Sequence, residues 1–471
     1  MKESNMTRSS MLAAFLLLSG CAVGPDYQVP ETPAPAHFQA PHDGGAFADV
    51  EQQFWQGFDD PLLSELLNLT LADNLDLQVA LARYERSAAL LYGARREQWP
   101  SLTASAAGAE QHLSAVEQLG GPERVERYQA GLNASWELDL FGRLRRASES
   151  QAAELQATGA DLAALQVVLA GQVANTYFNM RGLQQRLQVA NQNVTLQEET
   201  LAIVTARADA GRATEFDKVR ARAQLARTRA ALPELEAALR ADMHRLAVLT
   251  GQPPAALLER LVPLKPLPGS VPVIPVDSPG DVLRRRPDII AAERRLAAAT
   301  ARIGIATADL YPRFTLSGLL GSVAAEPGDL FQGASESRQV ALGVDWTFLD
   351  YGKVRARIDA RDAEGQAALA SYQQAVLAAL EETENRLVRY QQLQTRVSRL
   401  ASASEDARQA AALARTRYER GFIGYFEVLD AEQELTEIRD AEVRSRTDQV
   451  KAMVDVYRAL AGAPAPAVPK T

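Results

Sequence analysis

The stretch YQAGLNASWELDLFG, Tyr128 to Gly142, alternates strictly up to its closing Phe-Gly. Tyr128, Ala130, Leu132, Ala134, Trp136, Leu138 and Leu140 share one face of an extended chain, and Gln129, Gly131, Asn133, Ser135, Glu137 and Asp139 share the other. An apolar face backed by a polar one, over a length that reaches across a bilayer when tilted, is the pattern of a transmembrane strand. Phe141-Gly142 closes it. From Arg143 to Ala210 there is then no proline, and the composition favours helix. A continuous helix of that length would extend about 100 Å at 1.5 Å per residue. A membrane-type strand feeding such a helix predicts an α+β membrane protein.

The same event occurs twice. Val340, Leu342, Val344, Trp346 and Phe348 alternate with Ala341, Gly343, Asp345 and Thr347, and a proline-free run follows from Lys353 to Arg420. Trp136 and Trp346 are 210 positions apart, as are Gly142 and Gly352. Beyond each long helix the pattern breaks at glycine: ARADAGRATEFDKVRARAQL, Ala206 to Leu225, and TRYERGFIGYFEVLDAEQEL, Thr416 to Leu435. Arg207 aligns with Arg417, Gly211 with Gly421, Phe216 with Phe426 and Leu225 with Leu435, at the same spacing of 210. The chain is two copies of one unit, each folded around a helical hairpin tip.

Each copy also has a helix and a strand before its alternating strand. Pro61 opens a helical pattern that continues to about Gln98 and stops at Trp99-Pro100, and Ser101–His112 is a candidate strand. In the second copy a helix starts near Asp281, breaks briefly at Pro287 and ends at Tyr311-Pro312, before Phe314, Leu316, Gly318 and Leu320 alternate. Helices Thr214–Thr250, bent or interrupted at Pro233, and Tyr425–Ala461 leave the two tips. The predicted organisation is a leader at 1–20, an extended Pro-rich tether at 21–60, a first repeat at 61–262, a Pro-rich connector at 263–280, a second repeat at 281–462 and a disordered tail at 463–471.

Composition narrows the function. A net charge of −9 argues against nucleic-acid binding, which calls for a basic face. The four histidines are scattered, with no metal-ligand spacing, and there is no phosphate loop, nucleophile elbow or H-E-x-x-H. No enzyme activity and no cofactor are expected. The single cysteine, Cys21, follows Lys2, Arg8, the short apolar run Met11–Leu18 and Ser19-Gly20, the layout of a secretory signal. LLSGC resembles a bacterial lipobox, so Cys21 is the candidate lipidation site of an outer-membrane lipoprotein. After this leader no segment is apolar and long enough to be expected to span as a helix.

Four strands in two hairpins cannot stand alone in lipid, because open edges leave backbone groups unpaired there. The sheet must close with other copies. Two chains would give eight strands with a filled interior, and three would give twelve with room for a lumen. Trp99, Phe141, Tyr311 and Tyr351 border the strands as candidate interface anchors.

CAVGPDYQVP, WELDLFGRLRRASE, LRRRPDIIAAERRL, RYERGFIGYFEVLDAEQEL and VYRALAG, in this order along the whole mature chain, carry a resemblance. The sequence resembles the outer-membrane efflux channels of the TolC superfamily, in the OprM- and NodT-like lipoprotein branch that serves RND-type pumps. The resemblance implies a homotrimer with a twelve-stranded transmembrane β-barrel continuous with a long α-helical periplasmic barrel. It implies a periplasmic adaptor and an inner-membrane RND transporter as partners, and an exit duct for drugs or other small molecules. It also implies a gate at the tips. Asp430 matches the acidic ring position, Glu427 a second acidic position, Phe426 an apolar constriction, and Tyr418 a tip tyrosine that locks the closed state with Asp217. Three like charges around an axis favour cations. Ile423 and Gln433 stand where family members have latch arginines, with Arg212 or Arg420 as substitutes. Two other functions fit parts of the pattern: an exit duct for type I protein secretion, and a lipid-anchored coiled-coil scaffold, which would have no use for the amphipathic strands.

Overall fold

The computed structural model describes residues 22–31, 35–39, 54–114, 116, 123–269, 276 and 278–460. The leader, Cys21, part of the tether and the tail 463–471 lie outside the described residues. In chain order the elements are α1 (Pro61–Asp73), α2 (Leu75–Arg96), β1 (Ser101–His112), β2 (Arg124–Leu138), α3 (Arg143–Asp209), α4 (Glu215–Leu249), α5 (Leu258–Leu261), α6 (Pro279–Arg285), α7 (Pro287–Ala308), β3 (Arg313–Ala324), β4 (Glu336–Asp345), α8 (Tyr351–Glu419) and α9 (Tyr425–Leu460). Three short 3₁₀ turns complete the set. Two compact units result, 1–31 with 83–159 and 291–374, and 32–82 with 160–290 and 375–471. Neither unit is a sequence repeat; each takes segments from both copies.

The first unit holds one antiparallel sheet in the order β1-β2-β3-β4. Its register keeps the apolar alternation in step across all four strands. Ala104 faces Leu132, Leu132 faces Leu320, Trp136 faces Leu316, and Leu316 faces Leu342. Directly opposed residues point the same way, so these form one continuous apolar face. On the other face Ser101 opposes Ser135, Thr103 opposes Asn133, and Ser135 opposes Ser317. The apolar face is bare: Leu102, Leu320, Val340, Leu342 and Val344 are all exposed, Val340 to 83%. β1 and β4 are edges. The duplication persists in the hydrogen bonds, since the indoles of Trp136 and Trp346 each donate, at 3.0 Å, to a carbonyl at the end of the preceding helix, Gln98 and Leu310.

The strand-to-helix junction is built from local chemistry. Asp139 accepts from the backbone N–H groups of Leu144 and Arg145, at 3.0 and 2.9 Å, and so caps α3. Glu137 takes both donors of the Arg143 fork. Gly142 has φ +79°, and a Cβ there would fall 2.6 Å from the Ala22 Cβ. The segment after Cys21 therefore packs against this junction: Val23 N–H donates to Phe141 O at 3.1 Å, Arg146 pairs with Asp26 at 2.5 Å, and Tyr27 Oη donates to Glu293. Phe141 stacks on Tyr311 with centroids 4.6 Å apart.

The second unit is a helical assembly around a large core that includes Phe54, Leu63, Leu66, Val173, Tyr177, Met243, Leu246 and Tyr457. Asp60 caps α1 through Leu62 N–H and also accepts from Tyr177 Oη at 2.5 Å and Lys265 Nζ at 2.8 Å. Burial would push the Asp60 carboxyl up, but the bonds from Lys265 and Tyr177 hold it below the usual carboxylate range. The LRRRPDI motif is structural here. Pro287 keeps Arg286 extended, and the Arg286 guanidinium donates to Asp288, Glu382 and the Ala459 carbonyl, tying the α6–α7 junction to the middle of α8 and the end of α9.

Several expectations need correction. The first helix is interrupted at Asn74, whose side chain caps α2 through Asp76 and Leu77 N–H while its amide donates to Leu249 O. Pro233 lies inside α4, which remains one helix. β2 and β4 end at Leu138 and Asp345, before Leu140 and Phe348. A stretch of α3 is long and apolar enough by composition to cross a membrane, though half of it is buried. The same helix supplies Leu169, Val173, Tyr177 and Met180 to the core of the second unit.

Candidate gate at the two helical tips

Both tips lie in the second unit and turn in the same way. Gly211 and Gly421 adopt φ +70° and +79°, where a side chain would be strained. Arg212 N–H returns to Arg207 O at 2.7 Å, and Phe422 N–H to Arg417 O at 2.9 Å, the C-terminal closure of α3 and of α8. The outgoing helices then differ. Thr214 caps α4 in a reciprocal box with Asp217: Asp217 N–H donates to Thr214 Oγ1 at 3.2 Å, and Thr214 N–H to Asp217 Oδ2 at 3.0 Å. The equivalent position before α9 is Gly424, with no side chain to offer. Glu427 occupies the place equivalent to Asp217, in the first turn of α9, where helix polarity favours an anion.

Tyr418 is buried in a cluster with Val204, Ala221, Tyr425, Val428 and Leu429 that joins α3, α4, α8 and α9. Its hydroxyl is buried without a hydrogen-bonding partner among the described residues, and burial pushes that phenol up. Asp217 does not receive it; its carboxylate is engaged by Thr214. The contact across the tips comes instead from Arg207. Its guanidinium lies 4.4 Å from the Tyr418 ring centroid and donates to the Tyr418 carbonyl. Where the resemblance implies an arginine at position 433, Gln433 Nε2 donates to Gln224 Oε1 at 2.8 Å, a neutral tie between α9 and α4. Further along, Arg186 pairs with Asp440 at 2.7 Å and Arg415 with Glu199 at 2.9 Å. Neither Arg212 nor Arg420 provides a side-chain tie across the tips among the described residues.

Phe426, Glu427 and Asp430 are all exposed on α9. The guanidinium of Arg220 covers the Phe426 ring at 4.8 Å. Asp430 has no ionic or hydrogen-bonding partner among the described residues. The structure thus brings Tyr418 and its helix partners together, leaves Asp430 and Phe426 on an open face, and separates Asp217 from Tyr418 in hydrogen bonding. Arg207 was legible only as half of a repeated pair, because its partner lies 211 residues away.

Comparison with known proteins agrees with this architecture. The family model for outer membrane efflux proteins matches residues 66–252 and 279–462. The chain is 30% identical over 462 residues to the solvent efflux pump outer membrane protein SrpC of Pseudomonas putida, covering 97% of this chain and 98% of that one. It is 31% identical over 437 residues to nodulation protein T of Rhizobium leguminosarum bv. trifolii, covering 89% and 90%. Among solved structures, the outer-membrane channel OprN superposes with a TM-score of 0.87 at 40% identity, covering 94% of this chain and 99% of that one. Fold and tips together define an outer-membrane channel of the TolC-like type. The chain belongs to the outer membrane efflux protein family.

Proposed function

We propose that this protein is the outer-membrane exit duct of a tripartite efflux system. Three copies pair β4 of one to β1 of the next and close a twelve-stranded barrel. The long helices close a periplasmic tunnel that receives small molecules from an RND pump through an adaptor. The observation that carries this reading is the four-stranded sheet with a bare apolar face that crosses all four strands and two open edges. Lipid is the solvent for such a face, and only closure satisfies such edges. The duct performs no catalysis; the pump supplies the energy.

Within that reading the tips form the periplasmic mouth. Asp430 places three carboxylates around the axis, with Phe426 as the apolar constriction and Glu427 adding charge one turn earlier. Arg207 on Tyr418 serves as the latch in place of the family arginines. Lipidation of Cys21 is compatible with the path of the chain after it: Ala22 is seated beside Gly142, where β2 gives way to α3 and the proposed barrel meets the periplasm.

Expression with an RND pump and adaptor in a strain lacking its own exit channel tests the reading. Restored extrusion and resistance are expected. Rescue only of a type I secretion system would replace the efflux assignment with protein export.

A further inference from the structure

The second tip hides a carboxyl group that the gate does not use. Glu432 lies two residues beyond exposed Asp430, yet is only 3% exposed itself. Its Oε1 accepts from Thr200 Oγ1 of α3 at 3.2 Å, and its Oε2 is buried with no hydrogen-bonding partner among the described residues. Apolar packing flanks it along α9, with Val428 and Leu429 in the tip cluster on one side and Leu435 against Ala407 and Ala411 on the other. A carboxylate has about four lone-pair sites to satisfy, and here a single hydroxyl serves them. The neutral acid suits the seam far better than the anion.

Of the titratable groups on the surrounding elements, the Tyr418 hydroxyl of α8 is buried and unpaired among the described residues, and the charged ones hold partners of their own. On α8, Arg415 pairs with Glu199 of α3 and with Glu419. On α3, Arg207 lies on Tyr418. On α4, Arg220 covers Phe426 and Asp217 holds Thr214. On α9 itself, Tyr425 is buried and its phenol is pushed up to about 12, chiefly by that burial. Burial likewise pushes the Glu432 carboxyl above the usual range, outweighing the Thr200 hydroxyl and the Arg415 charge.

We propose that Glu432 is a proton-operated clasp between the two tip hairpins: protonated, it stays in the seam and holds α9 against α3; ionised, it draws water in and frees the second tip. The direction follows from linkage. A carboxyl that holds its proton more tightly in the seam than in water contributes its full holding strength below the ordinary glutamate value. It loses that strength as pH rises through the raised one. Lower pH therefore tightens the mouth, and higher pH relaxes it. The effect on transport rests on the tips being the gate; the clasp does not.

Hydrogen exchange of the tip amides, residues 200–207 and 425–435, in the assembled full-length protein tests this against Glu432→Gln. The wild-type to variant rate ratio cancels the intrinsic pH effect. It should be near unity at acid pH and rise with pH, by about tenfold for each unit by which the carboxyl is raised. Thr200→Val, which removes a donor to the carboxylate, should move that rise to higher pH and serves as the second probe if Glu432→Gln fails to assemble. A ratio that stays flat, or a Thr200→Val profile superposable on wild type, overturns the clasp. Conductance in the same preparations separates the claims. A pH-dependent exchange ratio with pH-independent conductance would move the gate away from the tips and leave the clasp standing.

Discussion

Arg207 joins the two tip hairpins through a single side chain. It places one planar cation on a buried aromatic face and donates to a carbonyl of the opposite hairpin. A cation–π contact and a charged hydrogen bond together support a loss of about 2 kcal/mol in Arg207→Ala. Arg207→Lys should recover only part of it, because an ammonium keeps the charge but not the stacking plane. Exchange rates of the Ala414–Ile423 amides measure this: faster in Arg207→Ala with the oligomer intact is the expected outcome, and unchanged rates would make the contact incidental. The residue-level reading of the sequence was uneven for a physical reason. Asp430 and Phe426 could be picked out because both sit in a stretch that resembles the family's tip motif. Arg207 and Glu432 could not, because each acts through a partner on another helix, 211 and 232 residues distant.

Among the elements, the strands and long helices were the most legible, because each rests on a period that needs no tertiary information. Alternation fixed which residues of β2 share a face, and the register extends that face unbroken from Ala104 through Leu132 to Leu320. Breaks were harder. Pro287 announces its own interruption, whereas Asn74 breaks a helix by capping the next one and bonding to Leu249 O, a contact invisible along the chain. The strand faces carry an element-scale prediction. Leu342 is exposed, so Leu342→Arg would cost a soluble protein almost nothing. On a lipid-facing strand near mid-bilayer it should cost about 2–4 kcal/mol per chain. The yield of heat-resistant oligomer recovered from membranes should fall sharply, while the helical content of the second unit persists. An undiminished yield would turn that face away from lipid.

For the whole molecule, duplication supplies two unequal tips and two hairpins that pair into one sheet. The first tip has a complete capping box; the second replaces the capping threonine with Gly424 and carries the exposed Asp430. In the proposed channel, assembled copies form a conduit closed at that second tip by acidic residues. The most direct test is the current through purified oligomers in planar bilayers, wild type against Asp430→Ala. A small, cation-preferring conductance is expected for wild type, and a larger conductance or a weaker cation preference for the variant. Correctly assembled oligomers that pass no current would contradict the conduit, and identical current and selectivity in the two proteins would put Asp430 outside the constriction.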